Sequence, residues 1–356
     1  MKPLSGVRII EFDGLGPVTF AGMVLGDLGA DVIRLTRAGA IGDFGDAGGS
    51  VTNRARNAVP VDLKSPEDRD RVLDLIANAD AVIEGFRPGV LERLGLGPEV
   101  CAERNPKLVF GRVTGWGQTG PLSQMVGHDI NYIGLTGALH AMGEAGRPPV
   151  PPLNLVGDYG GGAMLLIVGV LAAVLEARTT GKGRVVDAAM TDGTTLLSGL
   201  FFALSAGGQW SDQRGTNLLD GSAPFYRCYP CSDGKFVAVG ALEPRFYAAL
   251  LAGLDLTPEE APQFPISSWP ALEAKLGALF ASRTRDAWAA HFEGTEACVT
   301  PVLSFAEAAD HPHNRARQTI AGAPPQPSPA PRFDGQVAPI ESAGTMALDD
   351  ALSRWR

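Results

Sequence analysis

Cysteine is scarce in this sequence: four residues, Cys101, Cys228, Cys231 and Cys298. Four thiols with no secretory leader ahead of them argue against a disulfide-stapled scaffold. The lone Cys-x-x-Cys, "CYPC" at 228–231, has no second pair to complete a four-ligand zinc site, so no metal is expected. Positive charge is also in short supply: 30 Lys+Arg against 39 Asp+Glu leave a net charge of −9. That argues against a general nucleic-acid binder, whose phosphate contacts need a basic surface. No apolar run reaches the ~20 residues of a bilayer span. The longest, "GGGAMLLIVGVLAAVL" at 160–175, has 16 residues between Asp158 and Glu176 and reads as a buried core helix. No membrane partner is expected. The N-terminus "MKPLSGVRIIEFDG" lacks signal-peptide shape, because Arg8 and Glu11 interrupt its apolar run. The expected location is cytoplasmic. No Gly-x-Gly-x-x-Gly follows the first strand; "DGLGPVTF" only imitates one, which counts against a dinucleotide site.

What is present is alternation. "GVRIIEF", "DVIRLTR", "AVIEGF", "LVFGRVTG" and "RVVDAAM" read as strands, separated by helical patterns such as "TFAGMVLGDLGA" and "SPEDRDRVLDLIANAD". The second helix carries its own start signals: Ser65 as N-cap, Pro66 at N1 and Asp68 at N3 as the acidic half of a capping box. Strand–helix alternation predicts an α/β fold, with a Rossmann-like parallel sheet and the ligand at the carboxyl ends of its strands. After Gly207 the character changes to loops, two strands around "SDGK" and helices, which predicts a smaller α+β domain. The expected division is 1–200 with 320–356 as a discontinuous large domain, 221–305 as the small one, and 201–220 and 306–320 as linkers. A length of 356 residues suits roughly two domains.

Basic residues gather at the ends of the predicted strands: Arg34, Arg37, Arg54, Arg56, Lys64, Arg87 and Arg93. Taken one at a time these are surface charges; as a converging set they suit a polyanionic ligand. Of five histidines, His311 and His313 read as surface and His291 as structural, while His140 falls beyond His128 on one predicted helix. "GHDINY" places His128 and Asp129 at a helix start, where unpaired N–H groups can hold an anion or a developing oxyanion; the bland alternative is a plain Asp cap. Asp158 precedes Gly160, Gly161 and Gly162 at the start of the apolar helix. Three glycines there cost ~1 kcal/mol each against alanine, which implies a close approach to the backbone. Glu243, before Pro244, is a third helix-start acid.

With these residues assembled, the sequence resembles the α-methylacyl-CoA racemases of the family III CoA-transferase superfamily. The resemblance rests on "GDLGADVIR", "VDLKS", "IEGFRPGVLERLGLGP", "TGWGQTGP", "GHDINYI", "PPLNLVGDYGGG", "LLDGSAPFY" and "VAVGALEPRFYAALLAGL". It implies His128 and Asp158 as the acid/base pair, with Asp129 at the enolate and Glu243 from the small domain. It also implies coenzyme A contacts at Arg37, Val61, Asp62, Leu63, Lys64, Gly85, Phe86, Arg87, Arg93, Gly127, Asn131 and Tyr132. The glycine-rich loop after Arg37 departs from the family pattern at the adenine end of that site. The implied reaction interconverts (2R)- and (2S)-2-methylacyl-CoA thioesters by two-base 1,1-proton transfer; the alternative is CoA transfer with Asp129 as covalent nucleophile. No separate cofactor is implied, coenzyme A being part of the substrate. The implied assembly is an interlocked homodimer.

Overall fold

The computed structural model describes residues 2–37 and 51–356. Most of the glycine-rich loop after Arg37 lies outside the described residues. The chain forms two compact units, one of residues 2–139, 151–200 and 313–356, the other of 140–150 and 201–312.

The large unit is built on strands β1 (Arg8–Phe12), β2 (Asp31–Thr36), β3 (Asn57–Pro60), β4 (Ala81–Glu84), β5 (Val109–Thr114) and β6 (Val185–Ala189). They pair in parallel in the order β3-β2-β1-β4-β5-β6, with the two-residue strand Gly344–Thr345 added in parallel beside β3. This is the doubly wound order, whose direction reverses between β1 and β4; a crevice opens outside the carboxyl ends at such a point. The helices are α1 (Pro17–Asp27), α2 (Pro66–Ile76), α3 (Asp129–Gly134), α4 (Met164–Thr180) and α5 (Met190–Leu197). A nine-residue π-helix, Leu155–Ala163, runs directly into α4.

Neighbouring residues of the central strands enter opposite cores, because strand side chains alternate. Ile9, Val32, Ile83 and Val109 join α1 and α4 on one face. Ile10, Ile33, Val82 and Phe110 join α2 on the other, with the C-terminal helix Leu348–Trp355. Both faces are covered, so the strands read as unbroken apolar runs rather than as alternation. The π-helix and α4 together make 26 continuous residues, longer than the 160–175 run alone; by length and composition they pass for a membrane span. In the fold this segment lies against the sheet through Leu166, Ile167, Val170 and Val174, as a core helix does.

Ser65 caps α2 by accepting the Asp68 N–H, with Pro66 in the first turn. The reciprocal half of the expected capping box is replaced. Asp68 Oδ2 accepts instead from the Asp62 N–H at 2.8 Å, so the "VDLK" turn competes for the same carboxylate. The C-terminal helix is tied to β1 and β2. Trp355 is 1% exposed, its indole donates to Asp31 Oδ2 at 2.8 Å, and its carbonyl accepts from Arg8 Nη1 at 2.6 Å. Removing so large a buried ring leaves a cavity. Trp355→Ala is therefore expected to lower the unfolding free energy by ~3–5 kcal/mol, read from the urea midpoint at unchanged m-value. A loss below ~1 kcal/mol would show that the helix is not part of the cooperative unit.

The smaller unit has an antiparallel sheet of β7 (Tyr226–Pro230), β8 (Phe236–Gly240) and β9 (Val299–Val302), in that order. Its core is aromatic: Phe225, Tyr229, Trp269, Phe280, Trp288 and Phe292 pack beside helices Pro244–Gly253, Trp269–Phe280 and Arg285–Phe292.

Candidate active site

The site of interest lies in the large unit, at the reversal point of the sheet. The turn after β1, the loop after β4 and the start of α3 all follow carboxyl ends of parallel strands. His128 is the N-cap of α3, in extended conformation, and Asp129 is the first helical residue. His128 N–H donates to Asn131 Oδ1 at 3.0 Å, and its carbonyl accepts from the Asn131 and Tyr132 N–H groups at 2.8 and 3.2 Å. Asn131 thus fastens the backbone of His128. Among the described residues no acceptor takes the Asp129 N–H, the first orphan donor of the helix.

The decisive contact joins two distant stretches. Asp129 is buried, and its Oδ2 accepts the backbone N–H of Asp158 at 2.7 Å. His128 and Asp158, 30 positions apart in the chain, therefore stand one residue and one hydrogen bond from each other. The approach needs a glycine: a Cβ on Gly157 would lie 2.5 Å from Asp129 Oδ2. Asp129 Oδ1 is buried with no partner among the described residues.

Asp158 is not a helix N-cap; Asn154 is, and Asp158 lies in the first turn of the π-helix. Such wide turns are frequent at functional sites. Asn154 Nδ2 donates to Asp158 Oδ2 at 3.4 Å, and a Cβ on Gly16 would sit 3.1 Å from the same oxygen. The carboxylate therefore lies against the turn after β1. Phe20 of α1 stacks on Tyr159 at 4.2 Å and 15°, which seats the π-helix on the first turn of α1. Of the three glycines inferred to admit a close neighbour, Gly161 meets the backbone of α5: a Cβ there would lie 2.7 Å from the Thr194 N–H nitrogen.

Tyr132 connects this centre to the basic residues. Its hydroxyl donates to the Gly127 carbonyl, and its ring meets Trp116 edge-on at 4.8 Å. Burial pushes the phenol up; the negative charge of Asp158 adds to the shift and the Arg87 guanidinium opposes it.

The set of seven cations divides. Arg34, Arg54 and Arg56 are buried in carboxylate pairs, with Asp13, Asp27 and Glu11 at 2.5, 2.6 and 2.5 Å. Burial pushes the Glu11 carboxyl up, against the pull of Arg56 and Arg34. These three belong to the interior, so the reading of them as phosphate ligands is corrected. Arg37, Lys64, Arg87 and Arg93 are exposed and form no ion pair among the described residues. They follow β2, β3 and β4. Between them, Val61 is buried and Leu63 half-buried, whereas Asp62 is exposed and accepts the Lys64 N–H at 3.0 Å. Gly85 is exposed and Phe86 half-buried, edge-on to Phe12 at 6.3 Å.

His140 does not share a helix with His128. α3 ends at Gly134, and His140 belongs to the smaller unit, where its Nε2 meets the Asp212 carbonyl at 2.8 Å. Glu243 is exposed there, the N-cap of helix Pro244–Gly253, with its charge against the Cys298 thiol. The site also rests on residues not legible as functional: Gly157, Gly193 of α5, and the buried Glu84 and Arg112. Gly157 and Glu84 lie inside "PPLNLVGDYGGG" and "IEGFRPGVLERLGLGP", but their roles are not legible there, because each acts through a neighbour distant in sequence.

A parallel sheet of this order defines an α/β protein whose crevice opens outside the carboxyl ends of its strands, where His128, Asp158 and the exposed cations follow. The chain belongs to CoA-transferase family III, whose profile matches residues 4–347. It is 44% identical over 332 residues to α-methylacyl-CoA racemase of Mus musculus and 41% identical to that of Homo sapiens, covering in each case 92% of this chain and 86% of the relative. It is 31% identical over 267 residues to human succinyl-CoA:glutarate CoA-transferase, covering 72% of this chain and 60% of that protein. Its fold is that of a CAIB/BAIF family protein from Brucella suis, with a TM-score of 0.83 at 24% identity over 99% of this chain and 98% of that one.

Proposed function

We propose that this protein is an α-methylacyl-CoA racemase, interconverting (2R)- and (2S)-2-methylacyl-CoA. The observation that carries the reading is the Asp129–Asp158 hydrogen bond, which brings an imidazole-bearing residue and a carboxylate-bearing residue to one centre. The identity to two racemases supports it. Racemisation needs one group on each face of the α-carbon. His128 or Asp158 removes the α-proton, the electron pair moves onto the thioester oxygen as an enolate, and the other residue returns a proton to the opposite face. The two exchange roles between directions. The Asp129 N–H, first donor of α3, stabilises the enolate oxygen. The exposed cations Arg37, Lys64, Arg87 and Arg93 hold the phosphates, with Val61–Lys64, Gly85–Phe86, Gly127, Asn131 and Tyr132 lining the coenzyme A path. The interlocked homodimer belongs to the proposal, and Glu243 of one copy completes the site of the other. Exposed apolar residues of α4 and α5, among them Val168, Leu175, Leu196 and Leu197, support a surface covered by a second copy. The core packing of the long apolar segment Leu155–Thr180 supports a chain that does not span a membrane through it.

The test is incubation of one epimer of a 2-methylacyl-CoA in D₂O without any acceptor acid. Deuterium at the α-carbon together with a mixture of epimers is expected. CoA appearing on an added carboxylate, with no α-exchange, would establish instead transfer through Asp129.

A further inference from the structure

Glu84 and Arg112 have no assigned role at the site, yet they are among the most buried charges of the large unit, at 0% and 5% exposure. They are register partners on adjacent strands. Arg112 Nε donates to Glu84 Oε1 at 2.6 Å, and Glu84 Oε2 accepts the Phe86 N–H at 2.6 Å. The same guanidinium reaches the far end of the segment: Arg112 Nη1 donates to Glu92 Oε1 at 2.7 Å. Between these ends the Arg87 carbonyl accepts the Val90 N–H at 3.1 Å, opening the one-turn helix Val90–Arg93. One buried arginine therefore pins both ends of the segment 84–92, with the exposed Arg87 near its middle.

A buried ion pair adds little net stability over an apolar pair of the same size. What this one does that an apolar pair does not is accept an N–H inside the loop. We propose that Glu84 is a positioning residue: seated by Arg112, its carboxylate fixes the Phe86 N–H and so holds Arg87 in place for the phosphates of the acyl-CoA. The inference rests on the coenzyme A reading of the site and deepens it.

The test is a double-mutant cycle on the full-length protein, with free coenzyme A as the probe in titration calorimetry. Arg87→Ala is expected to weaken binding about tenfold, the scale of one lost charge-assisted contact. Glu84→Gln keeps the shape but leaves too few acceptors for both donors, and is expected to weaken binding about fivefold. In the Arg87→Ala background Glu84→Gln should change binding less than twofold, since residues that act through one another are not additive. In turnover the loss should fall on KM rather than kcat. If Arg87→Ala binds coenzyme A normally, the reading of the site fails. If Arg87→Ala is weak while Glu84→Gln is normal, or if the two effects multiply in full, the positioning role is overturned. Where Glu84→Gln does not fold, Glu92→Gln at the partly exposed end of the clamp carries the same cycle.

Discussion

His128→Ala and Asp158→Ala should each cut epimerisation by ~10²–10⁴-fold, because each removes one of the two proton-transfer groups. That range corresponds to ~3–5 kcal/mol of transition-state stabilisation. The geometry makes the Asp158 variant a clean test. Asp129 is held by the backbone N–H of residue 158, not by its carboxylate, so Asp158→Ala leaves the 2.7 Å tie in place. Likewise, the Asn131 side chain accepts from the backbone N–H of His128, which His128→Ala retains. Neither truncation disturbs the fastening of α3 to the π-helix. Inversion and α-deuteration should be followed separately from each pure epimer. A variant that keeps one base is expected to exchange the proton facing that base without inverting the centre. An Asp158→Ala protein that inverts at the full rate would remove Asp158 from the pair.

Gly193→Ala is expected to be the most damaging single methyl at the π-helix. Its Cβ would lie 1.9 Å from the Gly161 carbonyl oxygen and 2.6 Å from that carbonyl carbon. Both contacts are backbone, so no rotamer change relieves them, and α5 must move off the π-helix. Overpacking of this kind costs ~3 kcal/mol. The damage passes directly to the site, since Gly161 and Asp158 share one π-helix. The urea midpoint should fall and epimerisation should fall with it. Gly199→Ala is the control: nothing lies within 4 Å of its Cβ, and it should cost less than ~0.5 kcal/mol. Equal stability of the two variants would refute the packing argument.

Part of this architecture is legible in the amino-acid sequence alone. Ser65 and Pro66 start α2 as their types predict, because capping is a contact between residues three apart. The same holds for the strands Arg8–Phe12, Asp31–Thr36 and Ala81–Glu84, whose apolar runs are long enough and bounded by turn residues. His128 at a helix start is legible from "GHDINY", since Asn131 lies within reach of its N–H. The glycines at the start of the apolar helix announce a close neighbour without naming it.

What local pattern leaves open is which distant groups meet. Arg34, Arg54 and Arg56 look no different in sequence from Arg37 and Arg87. Only the fold sends the first three inward to Asp13, Asp27 and Glu11 and leaves the others exposed. Asp68 is engaged by the "VDLK" turn rather than by its own helix cap, because the Ser65 N–H goes to the Asp62 carbonyl at 2.9 Å and leaves the carboxylate to the Asp62 N–H. The sequence by itself determined the elements, their order and the residue types at the helix starts, all of which depend on interactions within a few positions. The tertiary structure decided the pairing of Asp129 with Asp158, the clamp of Arg112 on Glu84 and Glu92, and the neighbour of Gly161. Those contacts span 20 to 33 positions, where no propensity acts and only tertiary packing brings the groups within contact distance.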